Sequence, residues 1–189
     1  HHLLFNGEIY NYLELKNKFN IKINTSSDTE ILFFLLKNYG LKKTLMEIKG
    51  MFSFAFFDLQ QNTISCARDH FGQKPLYYTK NNLFSCSTNI KPLTELIKKK
   101  KFDEDCINFY LNSSGILPIN KTIYKNILSL PAGNYLKYNL NTKKLIIKEY
   151  FHPSDLICKD YNSYLLKKNK SFIAKKLKIK ISEKLKNCL

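Results

Sequence analysis

The sequence predicts an α+β protein in which helices come first and sheets follow. Three observations carry that reading. Between Ile9 and Ile48, apolar side chains recur near helical spacing. From Met51 to Cys86, short apolar runs are separated by polar, turn-prone residues. Within the first run, Met51-Phe52-Ser53-Phe54-Ala55-Phe56-Phe57 alternates large and small residues. That alternation suits a strand with helices against one face and a second sheet against the other.

Leu3–Phe5 is a short apolar run that stops at the turn-prone pair Asn6-Gly7. Ile9, Tyr12, Leu13, Leu15 and Phe19 then mark a first short helix. Ser27 is placed to cap the next helix, and Glu30, three residues later, completes a capping box. That helix runs from Thr29 to about Tyr39 and is apolar enough at Ile31–Leu36 to require burial; Gly40 ends it. Leu41–Ile48 forms a further amphipathic helix closed by Gly50. Strands are predicted at Met51–Asp58, Thr63–Arg68, Pro75–Thr79 and Leu83–Cys86. Lys98–Lys101 reads as a solvated charge run, followed by a helix over Asp103–Leu111. Asn134–Asn139 and Lys143–Tyr150 form a hairpin turning at Asn141, and Pro153 marks a domain boundary. From Lys159 onward ten lysines face two acids, a net charge of +8. Leu165, Phe172, Leu177, Ile181 and Leu185 there suggest a basic helix whose apolar stripe packs on a further domain rather than on a membrane surface.

The net charge of +16 raises nucleic acid as a partner, but 30 of the 31 basic residues are lysine. Phosphate and guanine readers favour the planar fork of arginine, so the composition argues against a nucleic-acid module. No apolar run is long enough to span a bilayer, and none reads as a secretory signal, so a cytoplasmic setting is expected. The five cysteines are odd in number and lack a CxxC pair. They read as small buried hydrophobes rather than as a disulfide framework or zinc site.

Two short motifs carry chemical content. A strand ending in Asn6-Gly7 can present a side-chain amide and a backbone N–H toward one point, the arrangement of an oxyanion hole. Asp28, at a helix start, is satisfied there by the dipole alone; in a pocket it would pair with a substrate ammonium.

These pieces recur together in one order. Phe5-Asn6-Gly7-Glu8-Ile9-Tyr10-Asn11-Tyr12, Ser27-Asp28-Thr29-Glu30, Gly50-Met51-Phe52-Ser53-Phe54-Ala55 and Ala67-Arg68-Asp69-His70-Phe71-Gly72-Gln73-Lys74-Pro75-Leu76-Tyr77-Tyr78 resemble, in order and spacing, the class II glutamine amidotransferase domain of glutamine-hydrolysing asparagine synthetases. Leu130-Pro131-Ala132-Gly133-Asn134-Tyr135 resembles its closing hairpin, and Tyr150-Phe151-His152-Pro153 its exit into a synthetase domain. The resemblance covers residues 1–155, with residues 156–189 as the helical start of an ATP-binding synthetase domain.

The resemblance implies a four-layer αββα sandwich of the N-terminal nucleophile hydrolase type, incomplete at its N-terminus. It implies hydrolysis of glutamine to glutamate, with the ammonia used for ATP-dependent amidation of aspartate to asparagine. Asn6 and Gly7 would form the oxyanion hole, Glu8 would line the glutamine pocket, and Asp28 would hold the substrate α-ammonium. Arg68 and Asp69 would be structural, bracing the sheet. The family's nucleophile is an N-terminal cysteine, and no cysteine precedes Cys66 here. Since the chain opens on His1, an upstream segment carrying that cysteine is expected, and this chain alone is expected to be inactive; the alternative is a non-catalytic glutamine-binding or scaffold domain of an asparagine-synthetase-like paralogue. Cofactors are expected only in the parent's synthetase domain, as ATP and Mg. The implied partners are glutamine, the chain's own synthetase domain and a second copy in a homodimer.

Overall fold

The computed structural model describes residues 1–23, 25, 27–80, 83–97, 100–156 and 170–186, the side chains of 184–186 excepted. The chain divides into two compact units, His1–Tyr150 and Phe151–Leu189. In the first, β1 (His2–Ile9), α1 (Tyr12–Lys18) and α2 (Asp28–Glu47) lead into β2 (Gly50–Asp58) and β3 (Thr63–Arg68). Then come β4 (Tyr77–Thr79), β5 (Ser85–Ser87), α3 (Ile90–Leu96), α4 (Glu104–Asn112), β6 (Leu128–Ser129), β7 (Asn134–Asn139) and β8 (Leu145–Glu149). One antiparallel sheet has the order β1-β2-β3-β7-β8, and a smaller one the order β5-β4-β6.

Two apolar layers hold these pieces together. Phe52, Phe54 and Phe56 point from β2 into a core with Ile31, Leu32, Leu35, Leu36 and Leu45 of α2. Ala55 and Cys66 point the other way, into a second layer with Leu76, Tyr78, Leu130 and Leu136. The alternation read in Met51–Phe57 is therefore the division between helix-facing and sheet-facing side chains. Helix α3 lies against β5 and β4, giving the order helix, sheet, sheet, helix. This is the αββα sandwich that the resemblance implies.

Local predictions failed at several points for identifiable reasons. Asn6-Gly7 is not a turn: β1 runs through it to Ile9, because every residue from His2 to Ile9 pairs in register with β2. Ser27 occupies the cap position of α2 but its side chain makes no capping bond. Glu30 instead accepts from the Thr25 hydroxyl, and the Ser27 amide donates to that same hydroxyl, so no capping box forms. The two predicted helices are one element, Asp28–Glu47, broken at Gly40 (φ 77°, ψ 169°). Gly50 does not close it but opens β2. Strands β4 and β5 are shorter than predicted, and α3 and β6 were not anticipated. Helix α4 is capped by the Asp103 carboxylate, which accepts from the Cys106 amide at 3.1 Å.

In the second unit, Pro153–Leu156 is a single tight turn, with the Asp155 carboxylate accepting from the His152 amide (3.0 Å). The basic helix, α5, spans Lys170–Lys186. Leu165 and the side chain of Leu185, both in its predicted stripe, lie outside the described residues. No helix among the described residues is long and apolar enough to cross a membrane.

Candidate active site

Strand β1 is the edge of the larger sheet, and its two faces divide its side chains. Leu3, Phe5 and Ile9 pack toward the helices, while Leu4, Asn6 and Glu8 face away and are exposed. Gly7 lies between them, opposite Phe52. A Cβ at Gly7 would sit 2.1 Å from the Met51 carbonyl oxygen and 2.7 Å from the Phe52 Cα. Gly50 is constrained in the same way, with a Cβ 2.0 Å from the Glu8 carbonyl oxygen. Glycine at both positions is thus a condition of β1 and β2 approaching closely beside Asn6 and Glu8.

Asp28 is held against the edge of this strand. Its Oδ2 accepts the Ile9 amide at 2.9 Å, and its Oδ1 accepts the Thr29 hydroxyl at 3.3 Å. The Ile9 N–H therefore points away from β2. Alternation along an antiparallel strand sends the Gly7 N–H to that same free edge. Asn6 and Glu8, the Gly7 amide and the Asp28 carboxylate consequently gather on one edge of the sheet. A carboxylate has about four lone-pair sites, so the two bonds leave Asp28 capacity for a cation.

Asn11 secures the far end of the strand. Its amide donates to the Glu47 carbonyl (2.9 Å) while its oxygen accepts the Lys49 amide (2.8 Å), tying the start of α1 to the end of α2.

Beside Asn6, between the two sheets, lies a cavity of about 270 Å³ whose walls include Asn6, Ser53, Ala55, Cys86, Ser87 and Thr88. Sequence reasoning missed Ser53, which is paired with Asn6 in the sheet. Its hydroxyl is buried with no hydrogen-bond partner among the described residues. The signal was a small polar residue between two phenylalanines.

Arg68 and Asp69 lie elsewhere. Arg68 is in the same cross-strand row as Asn6 and Ser53, two strand spacings or about 10 Å from Asn6. Its Nε donates to the Lys74 carbonyl (2.9 Å) and one terminal nitrogen to the Gly72 carbonyl (2.8 Å). The other donates to the Leu130 carbonyl (2.8 Å) and the Ser129 hydroxyl (3.3 Å). Burial lowers the guanidinium pKa, opposed by the Asp69 carboxylate. Asp69 is fully buried. Its Oδ1 accepts the amides of Phe71 (3.1 Å) and Gln73 (3.0 Å), and its Oδ2 those of Lys74 (2.9 Å) and Phe52 (3.3 Å). The Asp69 carbonyl accepts the Gly133 amide, the Gly133 carbonyl accepts the Tyr150 amide, and the Tyr150 hydroxyl donates to the Arg68 carbonyl (2.8 Å). Three sequence motifs, at 67–78, 130–135 and 150, thus meet at one node. Burial first, then the Asp69 charge, raises the Tyr150 phenol far above its usual value and keeps it a proton donor.

Residues 1–151 match the model of a glutamine amidotransferase domain. The chain belongs to that family. A relative from Methanocaldococcus jannaschii is 36% identical over 154 residues, covering 79% of this chain and 29% of its own. Asparagine synthetase (glutamine-hydrolyzing) 2 of Bacillus subtilis is 33% identical over 165 residues, covering 83% of this chain and 22% of its own. Among solved structures, the glutamine phosphoribosylpyrophosphate amidotransferase of B. subtilis superposes with a TM-score of 0.53 at 19% identity, over 78% of this chain and 28% of that one. This last likeness concerns the fold alone. The amidotransferase chain spans between a fifth and a third of the length of these relatives.

Seen as an amidotransferase domain, the structure separates two kinds of conspicuous residue. Asn6 and Glu8 are exposed on the edge strand that Asp28 meets through the Ile9 amide. Arg68 and Asp69 are spent on backbone groups.

Proposed function

We propose that the β1 edge is the glutamine site of a glutamine-hydrolysing asparagine synthetase. The single observation that carries this reading is the docking of the Asp28 carboxylate on the Ile9 amide, one residue beyond Glu8. It brings the start of α2 to the strand that carries Asn6 and Gly7. A site for free glutamine needs an anion for the α-ammonium, polar groups for the side-chain amide, and donors for the oxygen that becomes negative during acyl transfer. Asp28 supplies the first, Glu8 lines the pocket, and the Asn6 amide with the Gly7 N–H supplies the donors.

Attack by a cysteine thiolate on the glutamine amide carbon would place the developing oxyanion against Asn6 and Gly7. Collapse expels ammonia and leaves a thioester, which water hydrolyses to glutamate. Residues 1–65 contain no cysteine, so the proposal assigns this chain the substrate and oxyanion contacts and not the nucleophile. Amidation of aspartate, with ATP and Mg, belongs in this reading to a synthetase domain that residues 156–189 begin. The described residues hold no cluster of three His, Cys, Asp or Glu side chains suited to a metal ion.

The test is glutamine hydrolysis by the intact protein and its Asn6→Ala variant. Loss of one oxyanion donor lowers kcat by roughly 100- to 1,000-fold, with KM little changed. A kcat within a few fold of the parent, or an intact protein that does not hydrolyse glutamine, contradicts the assignment.

A further inference from the structure

Cys66 on β3 and Cys86 on β5 face one another across the gap between the sheets. Their Sγ atoms are 3.6 Å apart and share a hydrogen bond. Cys66 is fully buried, whereas Cys86 is partly exposed and forms part of the wall of the cavity beside Asn6. Each sits within a paired strand: Cys66 opposite Ala55 and Leu136, Cys86 opposite Tyr78. The two sulfurs are therefore set by the sheets rather than by mobile loops. A disulfide needs its sulfurs about 2.05 Å apart, roughly 1.5 Å closer than they stand here. The shared hydrogen bond makes the two thiols unequal. Acceptance from Cys66 lowers the Cys86 thiol, while that bond and then burial hold the Cys66 thiol high. A more acidic thiol at a cavity wall, backed by a second thiol in the interior, is the arrangement that two-step thiol oxidation requires.

We propose that Cys66 and Cys86 are a peroxide-oxidised dithiol, which closes reversibly into a disulfide joining the two sheets and alters the cavity next to Asn6. The Cys86 thiolate attacks one oxygen of hydrogen peroxide. An S–O bond forms, the O–O bond breaks, and hydroxide leaves to take up a proton as water. The sulfur of Cys66, giving up its proton, then attacks the sulfur of the Cys86 sulfenic acid. The S–S bond forms, the S–O bond breaks, and a second water leaves. Two thiols lose two electrons and one peroxide becomes two waters. A small dithiol reverses the change by exchange and is itself oxidised to a disulfide. This inference is independent of glutamine binding.

The experiment treats the purified protein with hydrogen peroxide, alkylates the remaining thiols and maps its peptides by mass spectrometry. The same treatment is applied to a variant with Cys106, Cys158 and Cys188 replaced by alanine. A peptide joining Cys66 to Cys86, lighter by two hydrogens and separated again by dithiothreitol, is expected in both. The link forms about tenfold or more faster in the folded protein than in denaturant, because the fold supplies the proximity. Cys66→Ser stops the reaction at a Cys86 sulfenic acid that dimedone traps, and Cys86→Ser leaves Cys66 open to alkylation. If the triple variant fails to fold, the peptide map of the wild-type protein still decides. Full alkylation of both thiols after peroxide overturns the proposal. So does a link that forms no faster in the folded state, or oxidation of Cys86 to sulfinic acid without a link.

Discussion

At the scale of single residues, Arg68 shows what one guanidinium does that an ammonium does not. Its three nitrogens reach three backbone carbonyls and a hydroxyl in segments that are far apart in sequence. Lysine has one nitrogen and reaches one or two of them, leaving buried carbonyls unmet. Arg68→Lys is expected to lower stability by about 3 kcal/mol, read from urea denaturation; a loss under about 0.5 kcal/mol would show the node to be dispensable. His70, packed edge-on to Phe52 (6.3 Å) and Tyr150 (5.3 Å), adds a pH dependence. Burial lowers its pKa from 6.5, against the pull of the Asp69 carboxylate. The folded protein then binds this proton less readily than the unfolded chain. The contribution is complete above pH 6.5 and declines as pH falls through that value toward the lower folded pKa. Replacing His70 with Gln should flatten the stability profile between pH 5 and 7, and an unchanged slope would exclude His70 as its source.

At the scale of elements, the close approach of β1 and β2 sets which glycines matter. Gly7→Ala is expected to cost about 3 kcal/mol or more, since its Cβ meets backbone on the neighbouring strand. Gly40→Ala is expected to cost less, about 2 kcal/mol, because nothing lies within 4 Å and the strain is that of a backbone conformation (φ 77°, ψ 169°) kept almost wholly to glycine. Thermal unfolding of the two variants checks this order; equal losses would contradict the register described for β1. The same elements show what the sequence alone conveyed. The strands Thr63–Arg68 and Asn134–Asn139 were legible to the residue because polar turns bound them. Asn6-Gly7 misled because a local turn preference loses to eight residues of pairing with β2. Ser27 misled because Asp28 was drawn to the edge of β1 and Thr25 took Glu30. Helix α3 had one sequence signal, Asn89, whose side chain accepts the Lys91 amide at its start (3.0 Å). Strand β6 has two residues and owes its existence to Tyr77 and Tyr78 beside it, which no local pattern announces.

At the scale of the whole molecule, the amidotransferase fold supplies two different surfaces from one sheet. On its helix side Phe52, Phe54 and Phe56 pack against α2, and its other side carries Asn6, Ser53 and the cavity between the sheets. Net charge of +16 has no part in the cavity: among the described residues no lysine lines it. Which residues of Asn6, Glu8 and Asp28 shared an edge was beyond the reach of spacing alone, because the Asp28–Ile9 bond joins positions nineteen residues apart. The most direct measurement is therefore isothermal titration of glutamine into the intact protein and its Asp28→Asn variant. Asparagine retains an oxygen for the Ile9 amide, so the fold should survive, which circular dichroism checks. Removing the charge opposite the α-ammonium is expected to weaken binding by roughly 10- to 100-fold, the loss of one charge-assisted hydrogen bond. Equal affinity in the two folded proteins, or no glutamine binding by either, would contradict a glutamine site on this edge.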